Sequence, residues 1–540
     1  MAMHGPTHLP LRKWVLKILT SAVLCLSFVQ PGLAATWYVA INGNDAAAGT
    51  SWATAKKTIQ SAIDLAAPND TVLVSNGVYA AGGRVVYGAL TNRVAITKQI
   101  TVRSVNGLEF TAIQGAKDPL TINGDAAVRC VYVGTNALLS GFTLANGATR
   151  NAGDYTMEQR GGGAWCESSG VISNCMFTGN SAYDSGGGSY GGTLNNCMLT
   201  GNSASGLSGG GGSYGGTLNN CLLTGNSAGA YGGGSSDATL NRCTLTGNWA
   251  GKGGGGSCNG TLNNCTLTDN SASGSSGGGG SYGGTLNNCT LTGNSVGAYG
   301  GGGSDGGTLN NCIVYFNQGI EGSNYCDSTF NYSCTTPDPG GTGNITNDPQ
   351  FINRSNGNFH LSFGSPCINK GNNAFASGTT DFDGNPRIVG GTVDIGAYEY
   401  QVIGPSGYDA WIAAITNGLT NYNQCATGDG YPNLLKYATG SSPTNSDTLA
   451  RLSAVFRDTQ SFVAVFMRNT NAYDVTIIVE ASNAASNGSP WKGIATNFAG
   501  SWGNAPNVLE AGTTNPVSVN VVDTTPTTTK RFLRLRVTRP

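Results

Sequence analysis

The chain reads as all-β: a right-handed parallel β-helix followed by a short helical connector and a small β-sandwich. Three observations predict this. Cys175, Cys197, Cys221, Cys243, Cys265, Cys289, Cys312 and Cys334 recur at intervals of 22, 24, 22, 22, 24, 23 and 22 residues. Around most of them runs G-T-L-N-N-C-T-L-T-G-N-S, as in residues 192–203 and 284–295. Glycine supplies 84 of 540 residues and clusters between these segments, which marks the turns of a repeat and not a linker.

A period near 23 fits either a leucine-rich repeat or a β-helix. The leucine-rich repeat needs a helical or semi-helical return, and the half-unit Gly-Gly-Gly-Ser-Tyr-Gly-Gly disfavours helix. One coil per period places each residue about 4.8 Å above its equivalent, so like stacks on like. Leu194, Leu218, Leu240, Leu262, Leu286 and Leu309 form one predicted stack, and the cysteines a second. Asn180, Asn202, Asn226, Asn248, Asn270, Asn294 and Asn317 form a third, whose amides are expected to bond along the axis. Each buried leucine contributes roughly 1.5–3 kcal/mol. No single rung buries its own apolar face, so stability comes from stacking.

The elements follow in order. Residues 1–34 have the form of an export signal: Arg12, Lys13 and Lys17, a short apolar run, then Gly32-Leu33-Ala34. An N-terminal cap with the first coils is expected over 35–125, the repeats over 126–335 and closing coils over 336–402. A helical connector is expected over 403–450, with helices at 409–420 and 433–437. A β-sandwich over 451–540 is read from alternating stretches at 462–466, 475–480 and 532–537. No later stretch has the length and apolarity of a membrane helix. Loss of the signal removes three of 28 basic residues and none of 29 acidic ones, and this mild negative balance argues against nucleic acid as a partner. It also leaves His360 as the single histidine, which makes a Ser-His-Asp triad improbable and a multi-histidine metal site impossible.

The repeated G-G-G-x-x-G-G-T-L-x-N-C-x-L-T-G-N unit resembles the glycine-rich repeats of polymorphic outer membrane proteins. Residues 36–79 resemble the N-terminal cap of pectate-lyase-like β-helix proteins. Asp381-Phe-Asp-Gly-Asn-Pro-Arg387 with Asp394-Ile-Gly-Ala-Tyr-Glu399 resembles the closing segment of secreted bacterial β-helix proteins. The resemblance implies the fold over residues 36–400 and a place outside the cell or on its surface. Polymorphic outer membrane proteins end in a β-barrel for which this chain has no room, so self-export is not expected.

Candidate functional residues fall at two places. Tyr190, Tyr214 and Tyr282 share one repeat position, where the other rungs carry Ser236, Cys258 and Asp305. An exposed tyrosine row offers a platform for sugar rings, and the competing reading is that the rings cover glycine-rich corners. Gly141 is aligned with Cys175 at a spacing of 34, which leaves an insertion near 148–160 containing Arg150, Asp154, Glu158 and Arg160. Lyases of the resembled superfamily use a basic proton abstractor beside carboxylates, often with calcium. On that implication Asp154 and Glu158 would hold calcium or act as acid and base, with Arg160 on a uronate carboxylate. The competing reading is a solvated loop. Charges along the rungs, among them Asp237, Arg242 and Asp269, are scattered, whereas glycoside chemistry wants grouped carboxylates. Asp381, Asp383, Arg387 and Asp394 read as structural ion pairing. The function expected is a non-catalytic adhesin or glycan-binding scaffold without a resident cofactor; the alternative is a lyase or glycoside hydrolase acting on acidic polysaccharide.

Overall fold

The computed structural model describes residues 34–401 except 275, 276, 298, 321 and 363, and beyond them 407–412, 421–444 and 453–539 with short interruptions. The segment read as an export signal lies outside the described residues apart from Ala34, as do residues 413–420 of the expected first connector helix. Among the described residues, no helix is long and apolar enough to cross a membrane.

Three long sheets form the body. A leucine sheet of 12 strands runs from Thr36–Val39 to Thr329–Asn331, and a threonine sheet of 11 from Gly77–Tyr79 to Cys334–Thr335. A tyrosine sheet of 11 strands starts with the antiparallel pair Arg84–Val85 and Thr91–Ile96, then continues in parallel to Tyr325–Cys326. A six-stranded sheet from Ser181–Ala182 to Ser295–Val296 closes one corner. The register stacks Leu194, Leu218, Leu240, Leu262, Leu286 and Leu309 in order. In the Thr-Leu-Asn strands from Thr193–Asn195 to Thr285–Asn287 only the leucine is buried, because alternate side chains point to opposite faces. The corner into the threonine sheet falls on Asn196, Asn220, Asn264, Asn288 and Asn311 at φ of 51 to 53°, a left-handed conformation asparagine tolerates. Opposite, a Cβ on Gly211 would sit 2.2 Å from the Ser227 carbonyl oxygen, so the chain crosses the lumen too closely for any side chain.

Two asparagine ladders run the length of the repeats. In the buried one, the side-chain amide of Asn180 donates to Asn202 Oδ1, and so on through Asn226, Asn248, Asn270 and Asn294 to Asn317, at 2.9–3.0 Å. A half-buried outer ladder through Asn195, Asn219, Asn241, Asn263, Asn287, Asn310 and Asn331 donates in the opposite sense, from later rung to earlier, at 2.8–3.0 Å. The cysteine stack is a column of thiols. From Cys221 to Cys312 each Sγ accepts the amide of the preceding cysteine at 3.4 Å, as Cys221 does from Cys197, and Cys243 Sγ donates to Leu218 O at 3.4 Å. None of the 14 described cysteines is in a disulfide.

Two register expectations are corrected. Ile313 pairs with Cys334, so Ser333 and not Cys334 follows Cys312 in the cysteine column, and the Cys312 amide donates to Ser333 Oγ at 3.0 Å. Thr143 pairs with Met176 and Leu144 with Phe177, so Phe142 and not Gly141 stands at the cysteine position. Phe142 is fully buried and its amide reaches Cys175 Sγ at 3.4 Å. Side chains alternate with period two, so the one-residue shift turns this aromatic into the core and not out of it.

The ends are covered differently. The helix Ile59–Leu65, capped by Thr58 Oγ1 accepting from Ser61 N, buries Ile59, Ala62 and Ile63 over the first coil. At the other end residues 368–400 do not simply close the last coil; they run back along the asparagine corner. Asn372 exchanges two hydrogen bonds with Asn311, Ser377 O accepts from Asn264, and Thr380 Oγ1 accepts from Arg242. This strap therefore spans four rungs. Beyond it, two antiparallel sheets of four and three strands share a core containing Phe466, Ile477, Val479, Val519 and Val521. The helices Gly407–Ile412 and Asn433–Thr439 pack on the same core through Tyr408, Leu434 and Tyr437.

Candidate functional site

The insertion folds onto itself. Glu158 Oε1 accepts from Ala89 N at 2.7 Å and from Arg150 Nη1 at 2.7 Å, while Oε2 accepts from Asp154 N at 2.8 Å. Burial opposes the charge, but these donors prevail and hold the Glu158 carboxyl down at about 2. Arg150 also pairs with the exposed Asp125. Asp154 Oδ1 accepts from Thr156 N and Met157 N and so caps the turn. Arg160 faces away, its Nε donating to Asp184 Oδ2 at 2.8 Å and its guanidinium lying 4.2 Å from the Tyr155 ring centroid. The structure thus brings Asp154 and Glu158 together as backbone acceptors and sends Arg160 to the tyrosine sheet.

The tyrosine row is longer than the repeat position implies. Tyr132, Trp165, Tyr190 and Tyr214 stack ring on ring at 5.5, 5.6 and 5.7 Å, with Arg160 against Tyr190 and Tyr214. Tyr282 is separated from this run by Ser236 and Cys258 and stacks instead with Tyr231 at 5.5 Å. These half-buried tyrosines therefore cover one another's faces. What they turn to solvent is edge and hydroxyl, not the flat platform on which a pyranose stacks.

A third place was not singled out by the sequence. The strap and the hairpin of Phe351–Asn353 with Asn358–Leu361 overhang the outer face of the threonine sheet and enclose a groove of about 360 Å³. Thr246, Thr268 and Thr292 line its floor, and Phe359, Phe382 and Tyr398 its wall. Thr292 Oγ1 is buried and, among the described residues, has no hydrogen-bond partner. Asp269 and Arg354 stand at its edge, both exposed, with Arg354 4.3 Å from the Phe316 ring centroid. Asp269 departs from the repeat: the matching corner is Gly201, Gly225, Gly247 and Gly293 in other rungs, all at positive φ, and Asp269 adopts φ 54° there. Asp269 thus places a carboxylate where these rungs have no side chain, in a left-handed conformation that aspartate, like asparagine, tolerates.

Buried electrostatics fix the wall. Every carboxylate oxygen of Asp381, Asp394 and Glu399 accepts a backbone N–H, for example Asp394 Oδ2 from Tyr400 N at 2.6 Å and Glu399 Oε1 from Val389 N at 2.8 Å. Arg387, 1% exposed, donates to the carbonyls of Asp394, Gly396 and Ala397 and pairs with Glu399 at 3.4 Å. Desolvation pushes Asp394 up to about 6 and Glu399 up to about 8 against the pull of Arg387. Asp383, grouped with these residues on the sequence, lies outside the cluster and meets His360 Nε2 at 2.6 Å. Elsewhere, donor atoms of Asp305, Cys326 and Asp327 lie within 4.8 Å of one another at the far end of the tyrosine sheet.

The stacked parallel sheets with one coil per repeat define a right-handed parallel β-helix. Residues 162–318 match the family described as right handed beta helix region. Solved structures similar to the chain include pectate lyase Pel9A, at 15% identity over 68% of this chain and 97% of that one, TM-score 0.41. XylC in complex with xylose follows at 11% identity over 67% and 98%, TM-score 0.37, and Dettilon tailspike protein at 10% over 93% and 94%, TM-score 0.30. No curated protein matches the chain.

Proposed function

We propose that this chain is an exported, non-catalytic β-helix scaffold that binds glycan, with the groove over the threonine sheet as its principal site. The observation that carries this reading is the lining: hydroxyls on a rigid sheet, one of them buried and unpartnered, faced by three aromatic rings and edged by one carboxylate and one guanidinium. Mostly apolar walls with a few placed polar groups are the usual make-up of a small-ligand site, and aromatic faces suit the C–H faces of sugar rings. The Tyr190, Tyr214 and Tyr282 edges are the second candidate surface. The lyase alternative through Asp154, Glu158 and Arg160 is less favoured, because both Glu158 oxygens are already engaged by Ala89, Arg150 and Asp154.

The test uses a panel of immobilised polysaccharides, neutral and uronate-containing, with the secreted chain. Asp269→Gly restores the residue the other rungs carry and relieves the left-handed backbone, so it is expected to fold at least as well as wild type. Its retention should fall about tenfold, the loss of one to two hydrogen bonds to charge. Unchanged retention in Asp269→Gly with loss in the triple tyrosine-to-alanine variant would move the site to the tyrosine row. Release of unsaturated, ultraviolet-absorbing products from a uronate polymer, abolished by Glu158→Gln, would replace the reading with a lyase.

A further inference from the structure

A second cavity lies on the other side of the same hairpin. It has a volume of about 430 Å³ and is walled by Asn356 and His360 of the hairpin and by Thr496, Phe498 and Trp502 of the β-sandwich. Gly357 lines both this cavity and the threonine groove, and a Cβ built on it would meet nothing within 4 Å. Gly357 is thus the residue the two spaces share, and its missing side chain leaves the ridge between them open at that point. The second cavity is close in chemistry to the first, with two aromatic rings and the Thr496 hydroxyl on the sandwich wall and amide and imidazole groups on the hairpin wall.

Among the described residues, neither lining carries an excess of cationic side chains. Arg354 and Asp269 edge the groove, and His360 pairs with Asp383 at 2.6 Å beside the cavity. Behind Trp502, the Glu510 carboxylate accepts from its Nε1 and is paired with Arg468 at 2.6 Å. A polyanionic chain finds no excess of cationic groups here, whereas a neutral chain finds hydroxyl partners and ring faces throughout.

We infer that the threonine groove and the Trp502 cavity are adjoining subsites for one neutral oligosaccharide that crosses the ridge at Gly357. This rests on the glycan-binding reading above and extends it to chain length and charge class. A ligand long enough to fill both subsites gains a second set of contacts without a second loss of translational freedom, so affinity rises with length and then levels off.

Calorimetry on the full secreted chain with cello-, xylo- and manno-oligosaccharides of increasing length, and with oligogalacturonides of matched length, tests this. At least one neutral series should tighten about tenfold or more between the short members and those spanning both sites, and the uronate series should bind more weakly. Trp502→Ala should abolish that gain while leaving the shortest ligands unchanged. Because Trp502 also packs 6.2 Å from Phe466, Asn356→Arg, which fills the cavity from an exposed turn, serves as the second variant and should do the same. Short ligands that bind in an Asp269-dependent way with no length dependence, or with none removed by either variant, overturn the two-subsite inference alone. Tighter binding of the uronate series overturns the charge assignment. Absence of binding by every ligand overturns the glycan reading itself.

Discussion

Replacing Asn248 by alanine removes four buried hydrogen bonds from the middle of the inner ladder. The side-chain amide of Asn248 donates to Asn270 Oδ1 and to Leu223 O, both at 2.9 Å, and its Oδ1 accepts from the backbone and side-chain nitrogens of Asn226, both at 3.0 Å. Asn270 Oδ1 keeps the backbone amide of residue 248 and Asn226 Nδ2 keeps Leu199 O. The Asn226 backbone N–H loses the acceptor it has in the ladder, in a site that is 1% exposed. One buried orphan donor at about 1–3 kcal/mol, plus two or three lost bonds at about 0.5–1.5 kcal/mol each, gives a destabilisation of roughly 3–5 kcal/mol. Asn241→Ala in the outer ladder breaks two amide bonds in a half-buried row where water replaces them, and should cost about 1 kcal/mol or less. Urea unfolding followed by far-ultraviolet circular dichroism compares the two variants on one host. Equal costs, or an inner variant within about 0.5 kcal/mol of wild type, would refute the claim that the buried ladder stabilises the helix more than the outer one.

Three further outcomes follow from the same geometry. The folded Glu158 pKa of about 2 lies below its ordinary 4.5, so the stability it supplies is complete above about 4.5 and is lost as pH falls toward 2. Glu158→Gln should therefore lower the melting temperature at neutral pH, with the difference closing in acid and glycan retention unchanged. Asp394 and Glu399 are shifted the other way, from 3.8 to about 6 and from 4.5 to about 8, so the folded strap holds protons the unfolded chain gives up and its stability declines as pH climbs through that range. Limited proteolysis should release the strap faster at about pH 9 than at about pH 5, and Asp394→Asn with Glu399→Gln should flatten the difference. Desolvation raises the thiols of Cys175, to about 12, and of Cys243, Cys265 and Cys289, and the stack cysteines are buried, so iodoacetamide should label them in urea and leave them untouched in the native protein. Rapid native labelling would show that the column is open to solvent.

Much of the helix was legible because a repeat writes each contact several times. The intervals between cysteines give the coil, and the leucine and inner asparagine columns follow once like is laid on like. The outer ladder was equally periodic in Asn195, Asn219 and Asn241, but amides on an outward face give no burial signal that separates them from solvated loop. The Gly141 register slipped by one because a single aromatic, Phe142, replaces the cysteine just where the period lengthens. The tyrosine position was visible, whereas its continuation into Trp165 and Tyr132 lies before the regular repeats and carries no matching spacing. The groove was the least legible part. Its floor and wall lie about 100 residues apart in the chain, and the strap that joins them is non-repetitive and held by contacts such as Asn264 with Ser377. One signal was nevertheless on the page: Asp269 stands in a T-D-N corner where its sister rungs read T-G-N.

The most direct test of the account is the location of a bound glycan. Crystals of the protein soaked with the tightest-binding neutral oligosaccharide should show a sugar ring against Phe382 and Tyr398, with hydroxyls within hydrogen-bond reach of Asp269 and Thr292 Oγ1. A ligand seated along Tyr190 and Tyr214, or in the 148–160 loop, with the groove filled only by water, would contradict it.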